Sequence, residues 1–301
     1  MGISLFKIKK WTNMLLGKSV YHVDQGVGLC YDAREVKGYY NNLTEKVTRF
    51  GAEGTQIPKT KVDTGEEIYF SIAVFQYGLG AYDLYLMNAD NSMLEKAIAC
   101  ADWAVENQQS DGSWVTFAYK NPQQPYSAMA QGEGISLLIR AHIATGSERY
   151  LASAKKALEF MLKPVDQGGT TVYEGEEVLF LEATYVPLIL NGWIFSLWGV
   201  YDYCKYTDDP NARQVLHKTL ASLKKKLPRF DIRYWSNYQE GGKRICSPFY
   251  HRLHIAQLQA MYDLFGDEIY SQYAQKWEKY QNSFWKPKRA FLKKAMQKIF
   301  E

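Results

Sequence analysis

The sequence predicts a mainly α-helical protein, an incomplete (α/α) toroid of about four helical hairpins with a small N-terminal cap of strands and loops. Two observations support this fold class. A Tyr-Asp pair recurs near the end of three apolar helical runs, beginning at Tyr82, Tyr201 and Tyr262, and is missing from one run near Arg140. The intervals indicate a unit of about 60 residues that contains an apolar helix and a helix with one charged face.

The hairpins are expected one after another along the chain. The first, more apolar helices are expected at residues 67–88, 126–145, 187–206 and 248–266, and the second helices at 91–109, 147–163, 209–227 and 267–284. Asp208 and Ser147 are expected to start helices, and Gly146 and Gly266 to end them. Because apolar helices must be covered by the others, four pairs around an axis form a ring whose open end is a cleft.

Three segments divide the chain: a strand and loop cap (1–65), the toroid (66–285) and a basic amphipathic C-terminal helix (286–301). In the cap, residues 20–23 and 28–31 indicate short strands, and Gly51 and Gly54 indicate a loop.

Composition narrows the class of function. The 36 Lys and Arg exceed the 32 Asp and Glu by only 4, which excludes the strongly basic face of a nucleic-acid binder. Aromatic residues make up 15% of the chain, and stacking rings favour sugar binding.

The four cysteines lack CxxC spacing, and residues 1–16 lack the apolar core of a signal peptide. We therefore predict a reducing, cytoplasmic location.

Two segments bear on membrane contact. Residues 186–204 have about the length of a spanning helix, but Asn191 and Asp202 favour an inner helix of the toroid. Both chain ends are basic, with Lys7, Lys9 and Lys10 at the N-terminus, and the C-terminal helix has one apolar stripe. That helix either lies on an anionic membrane surface, at the inner face of the membrane, or packs on its own domain. A homodimer is one of the oligomeric states expected.

Four motifs occur in order along the toroid: residues 76–79 (QYGL), 125–132 (PYSAMAQG), 190–197 (LNGWIFSL) and 250–258 (YHRLHIAQL). Together they resemble the C-terminal catalytic region of the D-glucuronyl C5-epimerases over about residues 62–281. Those enzymes convert glucuronate to iduronate within heparan-type chains, and the animal enzymes add large N-terminal β-domains. The resemblance implies an isomerase that needs no cofactor and acts on hexuronate residues of an anionic polysaccharide or a lipid-linked oligosaccharide.

Inversion at C5 sets three chemical requirements. The proton beside a carboxylate is a very weak acid, and one positioned acid or base contributes only about 10²–10⁴-fold. A cation beside the substrate carboxylate must stabilise the enolate-like charge. The site therefore needs two proton carriers on opposite faces of the sugar and a carboxylate clamp.

The resemblance implies three proton carriers. Tyr250 is the first choice, because it occupies the Tyr of the family's Tyr-His-x-x-His segment, where Arg252 and His254 are close enough in sequence to lower its pKa. Tyr238 is the second phenol, seven residues after Asp231. Glu182 matches the acidic carrier that precedes the Asn-Gly of the fifth helix, and otherwise it is a solvated charge at a helix N-terminus.

The sequence departs from the family's pattern at two places. Ala183 follows Glu182 where the family has a Tyr, and the next tyrosine is Tyr185. Gly241 stands where the family has an Arg, which leaves three other candidates for the clamp: Lys243, Arg244 and Arg233.

Further substrate-binding candidates are polar or aromatic residues of the ring. Three amides occupy comparable points in successive units: Gln131, Asn191 and Gln257. They are expected either to hydrogen-bond a sugar or to form hydrogen bonds between helices in the core. Trp114 belongs to a DGSW turn that resembles a motif of toroids that process sugars and isoprenoids, and it contacts substrate or packs. The histidines lack metal-ligand spacing, so we predict no metal.

Two alternative functions remain open. A polysaccharide lyase on a similar toroid removes the same proton and then eliminates the 4-substituent. A non-catalytic glycan-binding protein is the other, because Ala183 and Gly241 depart from the family's pattern.

Overall fold

The computed structural model describes residues 23–49, 57–62, 64–241 and 244–300, without the side chains of 298–300. The strand expected at 20–23 falls almost wholly outside the described residues. So do the following expected features: Gly51, Gly54, the N-terminal lysines 7, 9 and 10, and Lys243.

Four helical hairpins form the body of the protein, which confirms the predicted fold class. The inner helices are α2 (Ser71–Asn88), α4 (Ala128–Thr145), α6 (Leu190–Thr207) and α8 (Pro248–Phe265). The outer helices are α3 (Asn91–Glu106), α5 (Glu148–Met161), α7 (Pro210–Lys226) and α9 (Glu268–Gln281). Each outer helix packs on the inner helix that precedes it, and the inner helices pack on one another in chain order.

Short elements complete the fold. They are the helix α1 (Thr44–Thr48), the antiparallel ribbons β1 (Thr60–Lys61) with β2 (Glu67–Ile68) and β3 (Thr171–Glu174) with β4 (Glu177–Phe180), and the C-terminal helix α10 (Lys286–Phe300). Residues 186–204 contribute to the buried inner helix α6, as expected. Among the described helices, none combines the length and the apolar character needed to cross a bilayer.

Helix ends follow the expected signals with one correction. Gly146 and Gly266 end α4 and α8 in the left-handed conformation, with φ of 70° and 67°. The expectation that Asp208 starts α7 is wrong, because Asp208 ends α6 with φ of 59°. Asp209 is the residue whose side chain accepts hydrogen bonds from the first turn of α7. Ser147 precedes α5 but makes no capping bond through its side chain.

Glycines allow the backbones of α4 and α6 to touch. A Cβ on Gly132 would lie 2.5 Å from the Cα of Ser196, and a Cβ on Gly199 would lie 2.3 Å from the carbonyl oxygen of Gly132. Any larger residue would push the two inner helices apart.

The N-terminal segment, residues 23–43, packs against the C-terminal ends of the inner helices. The repeated aspartates lie at these helix ends. Each repeated aspartate accepts a hydrogen bond from this segment: Asp83 from the Tyr39 N–H (2.8 Å), Asp202 from the Tyr40 hydroxyl (2.5 Å) and Asp263 from the Tyr31 hydroxyl (2.7 Å). The expected strand at 28–31 is wrong: this stretch is a loop, held to the following chain by single backbone bonds such as Gly28 N–H to the Tyr40 oxygen.

Arg140 occupies the repeat position that lacks the Tyr-Asp pair. Its guanidinium forms an ion pair of 2.7 Å with Asp202, and both side chains are fully buried. It also donates to the carbonyl oxygens of Lys37 and Gly38. The repeat therefore anchors the N-terminal segment and leaves the opposite end of the ring for function.

Candidate active site

A cavity of about 270 Å³ lies at the N-terminal ends of the inner helices. Every inner helix contributes to its wall, with residues such as Gln76, Met129, Phe195 and Leu253. The wall is largely apolar and aromatic and carries a few polar groups, which is typical of a site for a small ligand or one sugar of a chain.

Glu182 lies in this cavity beside the first turn of α6. One carboxylate oxygen accepts from the Asn191 amide nitrogen (3.4 Å), and the other accepts from the Tyr238 hydroxyl (3.5 Å). A Cβ on Gly192 would lie 2.3 Å from the Glu182 carboxylate. The Asn-Gly pair is therefore explained by geometry: the amide holds the carboxylate and the glycine makes room for it.

Burial raises the pKa of Glu182 to about 7, against an ordinary value of 4.5. The positive charge of Lys120 and the hydrogen bonds from Tyr238 and Asn191 oppose this rise. The carboxyl is thus partly ionised near neutral pH, which suits a general base.

Tyr238 and Tyr250 lie beside Glu182. Their ring centroids are 4.8 Å apart in an edge-to-face arrangement, and a hydrogen bond links the two phenols. Burial, followed by the negative charge of Glu182, raises the pKa of both hydroxyls. Both phenols are therefore neutral near pH 7 and can donate protons.

The expectation that Arg252 and His254 lower the pKa of Tyr250 is wrong. The Arg252 side chain is 49% exposed and lies 3.7 Å from the Asp24 carboxylate, and it is not part of the cavity wall. Burial lowers the pKa of His254 to about 3, so this imidazole is neutral.

The two histidines of the Tyr-His-x-x-His segment hold the loop that carries Tyr238. His251 Nδ1 accepts from the Ser236 N–H (3.2 Å), while its Nε2 lies 3.1 Å from the carbonyl oxygen of Trp277. His254 Nδ1 lies 3.2 Å from the Ser236 hydroxyl. These bonds hold Ser236, two residues before Tyr238, against α8, which also carries Tyr250. The motif thus holds Tyr238 and Tyr250 in position and does not lower the pKa of Tyr250.

Lysines from three separate elements line the cavity: Lys46 of α1, Lys61 of β1 and Lys120 of the loop before α4. Burial lowers the pKa of Lys46 to about 8, and the charge of Glu133 opposes this fall. Glu133 is fully buried and accepts from the Gln76 amide (2.7 Å).

Sequence reasoning missed these lysines. Only Lys120 could have been found from the sequence. It lies in the loop before α4, close to the motif at residues 125–132. The three expected clamp residues are not found in the described cavity wall: Arg233 and Arg244 are exposed, and Lys243 lies outside the described residues.

The remaining substrate-binding candidates divide into cavity and packing residues. Asn191 lines the cavity, and its Oδ1 is buried with no hydrogen-bond partner among the described residues. Gln131 and Trp114 are both buried, and the Gln131 Oε1 accepts from the backbone N–H of Trp114 (3.1 Å). These two residues therefore belong to the packed interior and not to the cavity wall. Gln257 donates to the Asn191 carbonyl oxygen and joins two inner helices. Tyr185 packs edge-on against Phe117, outside the cavity wall.

The geometry is thus one carboxyl group, four tyrosines (Tyr77, Tyr119, Tyr238 and Tyr250) and cationic side chains around one cavity. Within the described part of the chain, no cluster of three or more His, Cys, Asp or Glu side chains has a metal-binding arrangement.

The family model of the D-glucuronyl C5-epimerase C-terminus matches residues 108–279, more than half of the chain. This protein belongs to that family. The matched region contains Glu182, Tyr238, Tyr250 and three of the four motifs, and it confirms the family resemblance.

Two curated relatives support the assignment. A D-glucuronyl C5-epimerase of Caenorhabditis elegans is 30% identical over 207 residues, which cover 60% of this chain and 34% of the nematode protein. An uncharacterized protein of Methanocaldococcus jannaschii is 33% identical over 156 residues, which cover 50% of each chain. This family member therefore matches only half or less of the length of these relatives.

Solved structures support the fold alone. A protein of Listeria innocua has a TM-score of 0.54 at 16% identity, covering 78% of this chain and 63% of its own. An endo-β-1,4-glucanase of Acetobacter xylinum has a TM-score of 0.50 at 14% identity, covering 76% and 75%. Both confirm the helical toroid.

Proposed function

We propose that this protein is a uronyl C5-epimerase that converts D-glucuronate to L-iduronate, or the reverse, within a polysaccharide or a lipid-linked oligosaccharide. Membership of the D-glucuronyl C5-epimerase family supports the reaction class. The observation that carries the proposal is a carboxyl with a pKa of about 7 that shares a cavity with two neutral phenols.

Glu182 is the base in the proposed reaction. Its carboxylate takes the C5 proton, and the electron pair of the broken C–H bond moves into the substrate's own carboxylate. Lys120, whose charge already acts on Glu182, is placed to balance this negative charge. This assignment replaces the family's arginine, which is absent at Gly241, with a lysine from another loop.

Tyr250 is the acid in the proposed reaction. Its hydroxyl returns a proton to C5 from the opposite face, which inverts the centre and leaves a phenolate. Tyr238 is hydrogen-bonded to both Glu182 and Tyr250, so it can pass the proton held by Glu182 to the phenolate. This transfer restores all three groups, which exchange their protons with solvent between turnovers, and the cycle consumes no oxidant or other co-reactant.

The proposal is tested by proton NMR of glucuronate-containing polysaccharides incubated with enzyme in D₂O. Wild-type protein is expected to exchange the C5 hydrogen for deuterium. Glu182→Gln is expected to slow this exchange, and Tyr250→Phe to slow formation of the inverted uronate, each by at least about 10²-fold, the low end of a general acid or base contribution. Tyr206→Phe is the matched control, because Tyr206 is 40% exposed near the C-terminal end of α6, away from the cavity.

Two outcomes would overturn the proposal. Formation of the inverted uronate that is equal in Tyr250→Phe and wild type removes Tyr250 from the reaction. Shortened chains with the ultraviolet absorbance of an unsaturated uronate would indicate a lyase instead.

A further inference from the structure

The C-terminal helix α10 and the turn before it expose large apolar side chains. Phe284 and Trp285 are 68% and 72% exposed, and Leu292 and Met296 are 62% and 54% exposed. Exposed apolar residues that occur singly are ordinary, but these four lie on one short segment, residues 284–296.

The helix is docked through one side only. Ala290 is buried, Gln297 accepts from the Ile245 N–H (3.2 Å), and the Arg289 guanidinium lies 4.1 Å from the Tyr234 ring centroid. Both partners belong to residues 231–247, the loop that also carries Tyr238.

The opposite side forms an apolar ridge. Trp285, Leu292 and Met296 are spaced at i, i+7 and i+11, so they lie in one line along the helix. We call Trp285, Leu292 and Met296 the outer ridge. The exposed side chains of Lys288 and Lys293 flank it on its two sides.

The charge of the segment that carries the outer ridge has a single sign. Residues 279–300 contain no Asp or Glu, and the helix carries six Lys and Arg between residues 286 and 298. An apolar ridge with a tryptophan and flanking lysines complements a bilayer surface with anionic headgroups, where the ridge enters the headgroup region and the lysines contact phosphates. A protein partner would need a matching acidic groove, for which the chain gives no indication.

We propose that the outer ridge of α10 binds the surface of an anionic lipid bilayer. The helix lies in the plane of the surface rather than across it, because its buried side stays on the protein. On its other side α10 is hydrogen-bonded to Ile245 of the loop that carries Tyr238. The proposal does not depend on the reaction that the cavity performs.

The test is sedimentation of the whole protein with vesicles of equal parts phosphatidylglycerol and phosphatidylcholine, compared with phosphatidylcholine alone. Wild-type protein is expected to sediment with the anionic vesicles and to be released by high salt. The triple variant Trp285→Ser, Leu292→Ser, Met296→Ser is expected to lose at least about tenfold in binding. A double variant, Met87→Ser with Ile143→Ser, removes exposed apolar side chains elsewhere and is expected to bind like wild type.

The charge requirement is tested separately. Each basic residue near an anionic surface contributes about fivefold, so Lys288→Gln with Lys293→Gln is expected to weaken binding by about 25-fold. Lys155→Gln, an exposed lysine on α5, is the control. Thermal unfolding of all variants verifies folding, since every substituted side chain is exposed.

Three results would overturn the proposal. Wild-type protein could stay in the supernatant with anionic vesicles, or the triple variant could sediment like wild type. The third is a wild-type dimer in solution that the triple variant converts to a monomer, which would mean that a second copy covers the outer ridge. Deuterium exchange on a free oligosaccharide is expected to be the same in wild type and all ridge variants, so this test and that of the proposed reaction fail independently.

Discussion

Replacing Glu182 by glutamine is expected to stabilise the protein at neutral and alkaline pH while it abolishes proton abstraction. A carboxyl whose folded pKa is about 7 and whose ordinary value is 4.5 binds protons more tightly in the folded state. The folded state therefore loses stability as the pH rises from the ordinary pKa of 4.5 through the folded pKa of about 7. The full loss is present above pH 7.

The size of this effect follows from the two pKa values. Each tenfold change in proton affinity is worth about 1.4 kcal/mol, so ionising Glu182 costs the folded state about 3 kcal/mol. The Glu182→Gln variant keeps the amide and phenol contacts but cannot ionise. Its free energy of unfolding should exceed that of wild type by about 3 kcal/mol at about pH 8 and by nearly nothing at about pH 4.

Urea unfolding of both proteins across this pH range provides the measurement. The difference between them isolates Glu182, because the other buried carboxyls of the described residues, Asp83, Glu133 and Asp202, are present in both. Glu95→Gln, on the exposed side of α3, is the matched control and should give no such pH-dependent gain. A difference between wild type and Glu182→Gln that is constant with pH would refute the reasoning that burial holds this carboxyl near neutrality.

Three further predictions concern the site and the ring. In Lys120→Met, loss of the nearby positive charge raises the pKa of Glu182 further, so the rise of exchange rate with pH should move to higher pH in a pH–rate profile. Arg140→Met leaves the fully buried Asp202 carboxylate without its ion pair and should lower the free energy of unfolding by about 3–5 kcal/mol in urea; adding Asp202→Asn should recover part of this loss. Gly199→Ala places a Cβ 2.3 Å from a backbone carbonyl oxygen of α4 and should cost about 1–3 kcal/mol in the same assay, whereas a neutral effect would mean that the inner helices can separate freely.

The helical frame was predictable because its signals are local. Apolar runs, charged faces and the stop residues Gly146 and Gly266 are read within one or two turns of chain, and the eight helices of the hairpins begin and end within a few residues of their expected bounds. The error at Asp208 has a similar local cause, because two adjacent aspartates compete for one cap and the structure uses the second.

The candidate site was only partly predictable, because burial and distant contacts decide its electrostatics. The family resemblance identified Glu182, Tyr238 and Tyr250, which the fold brings together. Sequence proximity suggested that His254 is a cation, but burial keeps it neutral. The cation Lys46 comes from a segment far from the motifs, and no local pattern distinguishes it from a surface lysine.

Mass spectrometry of a defined glucuronate oligosaccharide after incubation with the wild-type protein in D₂O tests the central claim most directly. If Glu182 and the two phenols act on one uronate, each inverted residue gains one deuterium at C5 while the chain keeps its full length. An oligosaccharide that binds but gains no deuterium, or that is cut into fragments with an unsaturated end, would contradict the account.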